Sequence, residues 1–272
     1  MKQKFKIIDT NFAHAKYSTD YQESKYIEWD RTSVNSSDKI VFYTDYSSGL
    51  VNNNVKVNIC WLMEPEEIYS QTYKWIILNN NNFKFVITHD KKLLDRKENY
   101  RFVPACGCWI NLEDQKIYEK NKMVSIIASA KDWTFGHKLR HESISKFRNK
   151  IDVYGRGYNP VDYKLTALKD YAFSLTIENA KKDYWFTEKL TDCFMTGTVP
   201  IYWGCPSIGK FFNTDGMIIF NDISELNKIL DGLSFDKYNS MKVAIEENFE
   251  KAKEYLIAED FIYKNYLINE QI

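Results

Sequence analysis

Short apolar runs alternate with segments of helical period along this chain, most sharply between residues 171 and 204. That stretch reads YAFSLTIENAKKDYWFTEKLTDCFMTGTVPIYWG. Phe173–Ile177 is short and apolar enough for a buried strand, and a polar loop follows from Glu178 to Trp185. From about Thr187 the period changes to that of a helix, with Leu190, Cys193 and Phe194 on one face. Gly197 stops it, and Val199–Trp203 reads as a second strand. Strand, loop, helix and strand in this order make a βαβ unit, the building block of nucleotide-binding α/β sheets.

The same alternation runs through the rest of the chain. Phe5–Ile8, Ile40–Tyr43, Val55–Met63, Phe85–Thr88 and Arg101–Pro104 read as strands of a first α/β unit. Pro65 ends the third of these, and Glu66–Asn79 reads as a helix with Ile68, Tyr73 and Ile76 inward. The charged stretch Glu113–Lys122 marks a boundary, which gives domains of 1–120 and 121–272. Beyond it Val124–Ser129 is a buried-type strand, His137–Phe147 a helix, Ile151–Tyr154 a strand and Ile218–Phe220 a last strand. Met241, Ile245, Phe249, Ala252 and Leu256 step along one face of a long helix.

The chemistry gathers after Ile177. In open α/β sheets ligands sit beyond the carboxyl ends of the strands, where the first N–H groups of a helix are unpaired and favour anions. Here that position carries Glu178 and Asn179, then Thr187, Glu188 and Lys189. Lysine and amide donors suit a diphosphate. A carboxylate suits ribose or sugar hydroxyls, because it repels phosphate. An ordinary capped helix, with Thr187 as N-cap and Glu188 against the dipole, accounts for the same residues.

The spacing separates the two accounts. Glu178-Asn179, then Thr187-Glu188-Lys189 eight residues on, then Gly197 to Gly204 (GTVPIYWG), resembles the donor-binding signature of glycosyltransferase family 10, the α-1,3/1,4-fucosyltransferases. Ile151–Gly155 is similar to that family's Val-Asp-Val-Tyr-Gly strand. Two positions depart from the pattern. Ala130 stands where the family has Asn, and Trp185, with Tyr184 adjacent, stands where it has a donor-contacting Tyr. The resemblance implies an α/β fold of the GT-B type: two Rossmann-like lobes facing a cleft, the first one compact. It implies an inverting transfer of a sugar, fucose from GDP-fucose, to an acceptor hydroxyl, most naturally of a glycan. It places a phosphate-binding Arg near the start of the 137–147 helix, which makes Arg140 the choice and His137 and Lys138 alternates. A solvated basic face explains those residues equally well. A C-terminal helix, Asp260–Leu267, is expected either to return to the first lobe or to cover the second.

Such a transfer needs a base for the acceptor hydroxyl and positive charge for the departing diphosphate. No Asp-x-Asp metal motif occurs in the chain, so Lys189 and Arg140 are expected to replace a metal, and no cofactor is expected. Glu64, at a strand end where many relatives have Glu-Ser-Pro, is the candidate base. Glu66 and Glu67 lie close enough to substitute for it, and His89 is an outside candidate.

Composition narrows the alternatives. Lys and Arg (37) balance Asp and Glu (37), so no broad basic footprint for nucleic acid is present. The five cysteines form no CxxC pair and read as reduced, structural thiols. The basic N-terminus carries too short an apolar run for a signal peptide, and no stretch nears the roughly 20 apolar residues that span a bilayer. A cytoplasmic enzyme without a stable membrane anchor, of a bacterial cell or a virus-infected host cell, is the expectation. Trp185 and the short first lobe leave two further readings. One is transfer from another nucleotide sugar, such as a UDP-pentose, to an unusual acceptor such as modified bases of viral DNA. The other is a nucleotide- or glycan-binding module without catalysis.

Overall fold

The computed structural model describes residues 2–96 and 99–268, which form two compact units. The first comprises residues up to Gly107 together with those from Ile257 on, and the second is Cys108–Leu256. Unit 1 is a parallel sheet of β1 (Gln3–Ile8), β2 (Ile27–Asp30), β3 (Ile40–Thr44), β4 (Val57–Leu62), β5 (Phe85–Thr88) and β6 (Tyr100–Phe102). Its strand order is β2-β1-β3-β4-β5-β6, with helices α1 (Ser70–Asn79) and α2 (Lys91–Leu94) in the connections. β3 is buried along its whole length and β4 along nearly all of it, which is why both read as near-continuous apolar runs. β2 escaped the sequence reading. Ile27 and Trp29 point inward but Glu28 does not, and four residues are too few to show a period.

Phe5, Trp29, Phe42 and Trp61 fill one face of this sheet, with Trp29 and Phe42 packed edge to face at 5.0 Å. Val41, Tyr43, Leu62, Tyr73 and Ile76 fill the other. The helix expected from Glu66 starts only at Ser70. The Pro65 carbonyl accepts the N–H groups of Ile68 (2.9 Å) and Tyr69 (3.3 Å), which makes a turn there and leaves Ile68 exposed.

Unit 2 is a parallel sheet of β7 (Lys122–Ile127), β8 (Asp152–Tyr154), β9 (Tyr171–Ile177), β10 (Val199–Trp203) and β11 (Ile218–Ile219), in the order β11-β10-β9-β7-β8. β9 runs through its middle with every residue buried. α3 (Phe135–Phe147) follows β7, α4 (Glu188–Phe194) follows β9, and α5 (Ser224–Asp231), α6 (Phe235–Ser240) and α7 (Lys242–Ala252) follow β11. The expected long helix from Met241 is shorter and differently faced. It passes into a 3-10 turn at Lys253–Tyr255, and Ala244, Ile245, Asn248 and Ala252 are its buried residues. Asn248 takes an inward position because its amide makes two 2.8 Å hydrogen bonds with the backbone of Asn213.

The units divide earlier than the charged stretch Glu113–Lys122. The Trp109 N–H donates to Asp192 Oδ1 at 2.6 Å, and the Asn111 N–H to the Tyr163 hydroxyl at 2.6 Å, so this stretch is bonded into unit 2. The far end of the chain differs too. α8 (Ala258–Ile262) and the turn Tyr263–Leu267 belong to unit 1, not to a lobe of 121–272. Ile257, Ala258, Ile262 and Leu267 join the Trp29–Trp61 core. Buried Glu259 accepts hydrogen bonds from the Ser18 N–H (2.8 Å), Ser18 Oγ (2.6 Å) and Trp29 Nε1 (3.0 Å).

Replacing Glu259 by Ala strands those three donors in the interior. Glu259→Ala is expected to lower the stability of unit 1 by about 3 kcal/mol, read as a reduced urea midpoint, since each unpaired buried group costs about 1–3 kcal/mol.

Candidate active site

Both sheets place their second and third strands on opposite sides of the first. This creates a topological switch point at the carboxyl ends of β1 and β3 in unit 1, and of β7 and β9 in unit 2, where open α/β sheets bind ligands. The residues with chemistry to offer gather at these two places, each within its own unit.

In unit 2 the loops after β7 and β9 are seamed together. The Gly136 N–H donates to the Asn179 carbonyl at 3.1 Å, and a Cβ at Gly136 would stand 1.8 Å from the Glu178 carbonyl oxygen, so only glycine fits. Thr134 caps α3 in a capping box with His137. Arg140, one turn on, is buried. Its Nε donates to the Ile177 carbonyl at 2.9 Å and its Nη2 to Asn179 Oδ1. Lys138 is exposed, and His137 is buried with Nδ1 2.8 Å from Thr134 Oγ1. Burial, helped by the positive charge of Arg140, Lys189, Lys131 and His141, lowers the His137 pKa to about 4. Its ring thus reports a concentration of cations at this switch point.

Glu178 points inward and is wholly buried. Its carboxylate accepts the Thr187 N–H at 2.9 Å and the Thr187 hydroxyl at 2.7 Å. Thr187 in turn caps α4 and accepts from Lys189 Nζ at 3.0 Å. Lys189 Nζ lies 3.5 Å from Glu178 Oε2 and 3.6 Å from Glu188 Oε1. Burial pushes the Glu188 carboxyl up, but Lys189 and Lys164 outweigh it and hold the group well below the usual carboxylate range. Tyr184 takes a left-handed backbone (φ 65°), fixed by its N–H on Ser207 Oγ at 2.9 Å, and its hydroxyl accepts from Lys210 at 3.0 Å. Trp185, whose ring the family resemblance would put against a donor, is instead in the interior of unit 2. The structure thus gathers Arg140, Glu178, Asn179, Thr187, Glu188 and Lys189, with Tyr184 half-buried beyond them.

In unit 1, Glu64 is half-buried just past β4. Its N–H donates to Asp45 Oδ2 at 3.3 Å and its carbonyl accepts the Tyr73 hydroxyl at 2.9 Å. Asp45, absent from the sequence reading, is fully buried with a left-handed backbone (φ 33°) and also accepts the Met63 N–H (3.0 Å) and Asn11 Nδ2 (2.5 Å). Burial, with a contribution from nearby Glu64, pushes its carboxyl up to about 8. Asp9 accepts from the backbone of Asn11 and Phe12 and from Thr44 Oγ1, and pairs with Arg31. Glu66 is half-buried, Glu67 exposed, and His89 buried after β5. The position of Asp9 and Asp45 beyond strand ends was the available signal for both. Lys164 and Asp192, which bond to each other beside Glu188, carried no such signal. Among the described residues no group of three or more His, Cys, Asp or Glu side chains is placed to hold a metal, and no helix is long and apolar enough to cross a membrane.

Comparison with known proteins shows the family and the fold. Residues 117–265, just over half of the chain, match the family profile described as Glycosyltransferase family 10 (fucosyltransferase) C-term. The chain is 35% identical over 79 residues to the alpha-(1,3)-fucosyltransferase FucT of Helicobacter pylori, covering 29% of this chain and 16% of that protein. It is 31% identical over 117 residues to alpha-(1,3)-fucosyltransferase B of Drosophila melanogaster, covering 40% of this chain and 25% of that one. These matches span a quarter or less of either relative. In fold the chain is similar to an alpha1,3-fucosyltransferase solved with GDP-fucose, with a TM-score of 0.58 at 18% identity, over 100% of this chain and 92% of that one. Two Rossmann-like parallel-sheet units of this kind make the fold α/β, of the GT-B type.

The depressed His137 pKa makes unit 2 sensitive to acid. The folded value, about 4, lies below the ordinary 6.5, so the neutral ring's contribution is complete above about 6.5 and is lost as pH falls towards 4. His137→Gln keeps a capping-box residue but cannot titrate. Unfolding curves between pH 7 and 4 are expected to fall less steeply for this variant, by about 2 kcal/mol over the range.

Proposed function

The chain belongs to glycosyltransferase family 10, and on that premise we propose that it moves a sugar from a nucleotide donor to an acceptor hydroxyl, with GDP-fucose as donor and a glycan as acceptor. The observation that carries the proposal is the convergence of Arg140 and Lys189, with the ionised Glu188 beside them, at the switch point of unit 2. Cations there suit a diphosphate, and a carboxylate bonded to lysines suits the hydroxyls of ribose or sugar.

The transfer is a single displacement. Glu64 takes the proton of the acceptor hydroxyl as its oxygen attacks the anomeric carbon. The bond from that carbon to the diphosphate oxygen breaks, and its electron pair leaves with the nucleoside diphosphate. Attack opposite the leaving group inverts the anomeric centre. Negative charge grows on the diphosphate as the sugar becomes oxocarbenium-like, so a fixed cation binds the transition state more strongly than the ground state. Lys189 holds this role, and Arg140 fixes the loop through Ile177 and Asn179. With protein cations at the diphosphate, no metal is needed.

Two substitutions divide these roles. Lys189→Ala is expected to weaken GDP binding and lower kcat by about 100-fold. Glu64→Gln is expected to lower kcat by about 100-fold or more while GDP affinity stays near wild type. EDTA should change neither rate nor binding. A donor panel scored by thermal shift decides the sugar nucleotide. A response to UDP and not to GDP would remove fucose from the proposal, and no response to any nucleotide would remove transfer itself.

A further inference from the structure

We propose that Lys164 is a positioning residue of the donor site, which shares the Glu188 carboxylate with Lys189 so that Lys189 stays available to the diphosphate. The proposal rests on the donor-site reading above and adds a residue that neither the motif nor the mechanism uses.

Lys164 opens the 3-10 turn Lys164–Ala167 between β8 and β9. Its Nζ lies 2.8 Å from Asp192 Oδ2 and 3.3 Å from Glu188 Oε1, and 4.4 Å from the centre of the Trp109 ring. Asp192, on the buried side of α4, is held from behind by the Trp109 N–H at 2.6 Å. One residue therefore closes the site from two directions: the Trp109 backbone fixes Asp192 and its indole face covers the ammonium. Glu188 Oε1 also lies 3.6 Å from Lys189 Nζ, and Lys189 lies 3.5 Å from Glu178 Oε2. The side chains make an alternating series, Asp192, Lys164, Glu188, Lys189, Glu178, in which three carboxylates share two ammonium groups.

This order has a consequence for ligand binding. Glu178 is already satisfied by both donors of Thr187 and makes little further demand on Lys189. Glu188 is the carboxylate that competes with a diphosphate for that lysine. Lys164 reaches the same Oε1 atom at 3.3 Å and neutralises it there. Without Lys164, Asp192 would lose its ammonium partner and Glu188 would be left to Lys189, which would be drawn onto it. Burial favours the neutral amine at Lys164, but Asp192 and Glu188 raise its pKa above the ordinary lysine value, so the counter-charge is permanent at neutral pH.

A double-mutant cycle in the full chain tests this, with GDP as the probe and calorimetry as the readout. Lys164→Met is expected to weaken GDP binding about tenfold and raise the donor KM by a similar factor, with kcat changed by less than about threefold. In Glu188→Gln, which removes the competitor, the further change Lys164→Met should cost less than about twofold. Additive losses in the double variant, or a loss in kcat alone, overturn the proposal. Asp192→Asn keeps the shape and the Trp109 contact but leaves Lys164 wholly to Glu188. GDP should then bind two- to threefold more tightly, and weaker binding overturns the proposal even where Lys164→Met fails to fold. A wild-type chain that binds neither GDP nor any other nucleoside diphosphate overturns the donor-site reading, and this inference with it. Binding with additive losses overturns this inference alone.

Discussion

The buried Glu178 carboxylate, closed on both donors of Thr187, is the contact on which the switch point of unit 2 depends. It joins the end of the central strand β9 to the N-cap of α4 and so fixes the loop between them. Removing one partner would leave either a buried charge or two buried donors unpaired, a loss larger than a surface pair ever contributes. The contact also answers a question raised by the residue types alone. An acidic residue beside an anion site should repel the anion, yet Glu178 turns its charge inward, where a backbone N–H, a hydroxyl and Lys189 absorb it. What remains outward is Glu188, tied to two lysines. The same sequence signature thus contains one carboxylate that builds the loop and another that pairs with two lysines.

Much of this was readable in advance, and the reasons are physical. The strands of both sheets are short apolar runs buried on one or both faces, and such runs leave a strong local signal. β2 left a weak one, because four residues are too few to show a period, whereas Ser224–Asp231, with Leu226, Ile229 and Leu230 at helical spacing, carried a clear signal that was passed over. Asp260–Leu267 could be assigned to neither lobe, because the contacts that place it, Glu259 on Ser18 and Trp29, join residues more than two hundred positions apart. The grouping of Glu178, Thr187, Glu188 and Lys189 was legible through spacing. The inward direction of Glu178 and the burial of Trp185 were not, because a one-dimensional pattern does not say which side of a loop is filled. Lys164 stayed hidden for the same reason, since it gains its meaning from Asp192 and Glu188 on another element.

Strain and burial at the two switch points follow one rule with different residues. In unit 2, Gly136 lets backbone meet backbone where any Cβ would collide, and Arg140 spends two of its donors on the strand end behind it. In unit 1, Asp45 adopts a left-handed backbone that costs about 1–3 kcal/mol at a residue other than glycine. Three N–H donors, from Met63, Glu64 and Asn11, hold it there. In each case polar atoms of the strand end are consumed in fixing a loop. Half-buried Glu188 and Glu64 each follow such a fixed segment, on a backbone with little freedom.

A net charge of zero conceals how unevenly that charge is spent. The carboxyl edge of unit 1 collects Asp9, Asp45, Glu64 and Asp90, with Arg31 paired to the first. The carboxyl edge of unit 2 collects Lys131, Arg140, His141 and Lys189, whose combined field is felt at His137. At the edge of unit 1, burial, with a contribution from Glu64, raises the carboxyl pKa of Asp45. Basic groups crowded at a strand end stabilise the charge that a departing diphosphate acquires.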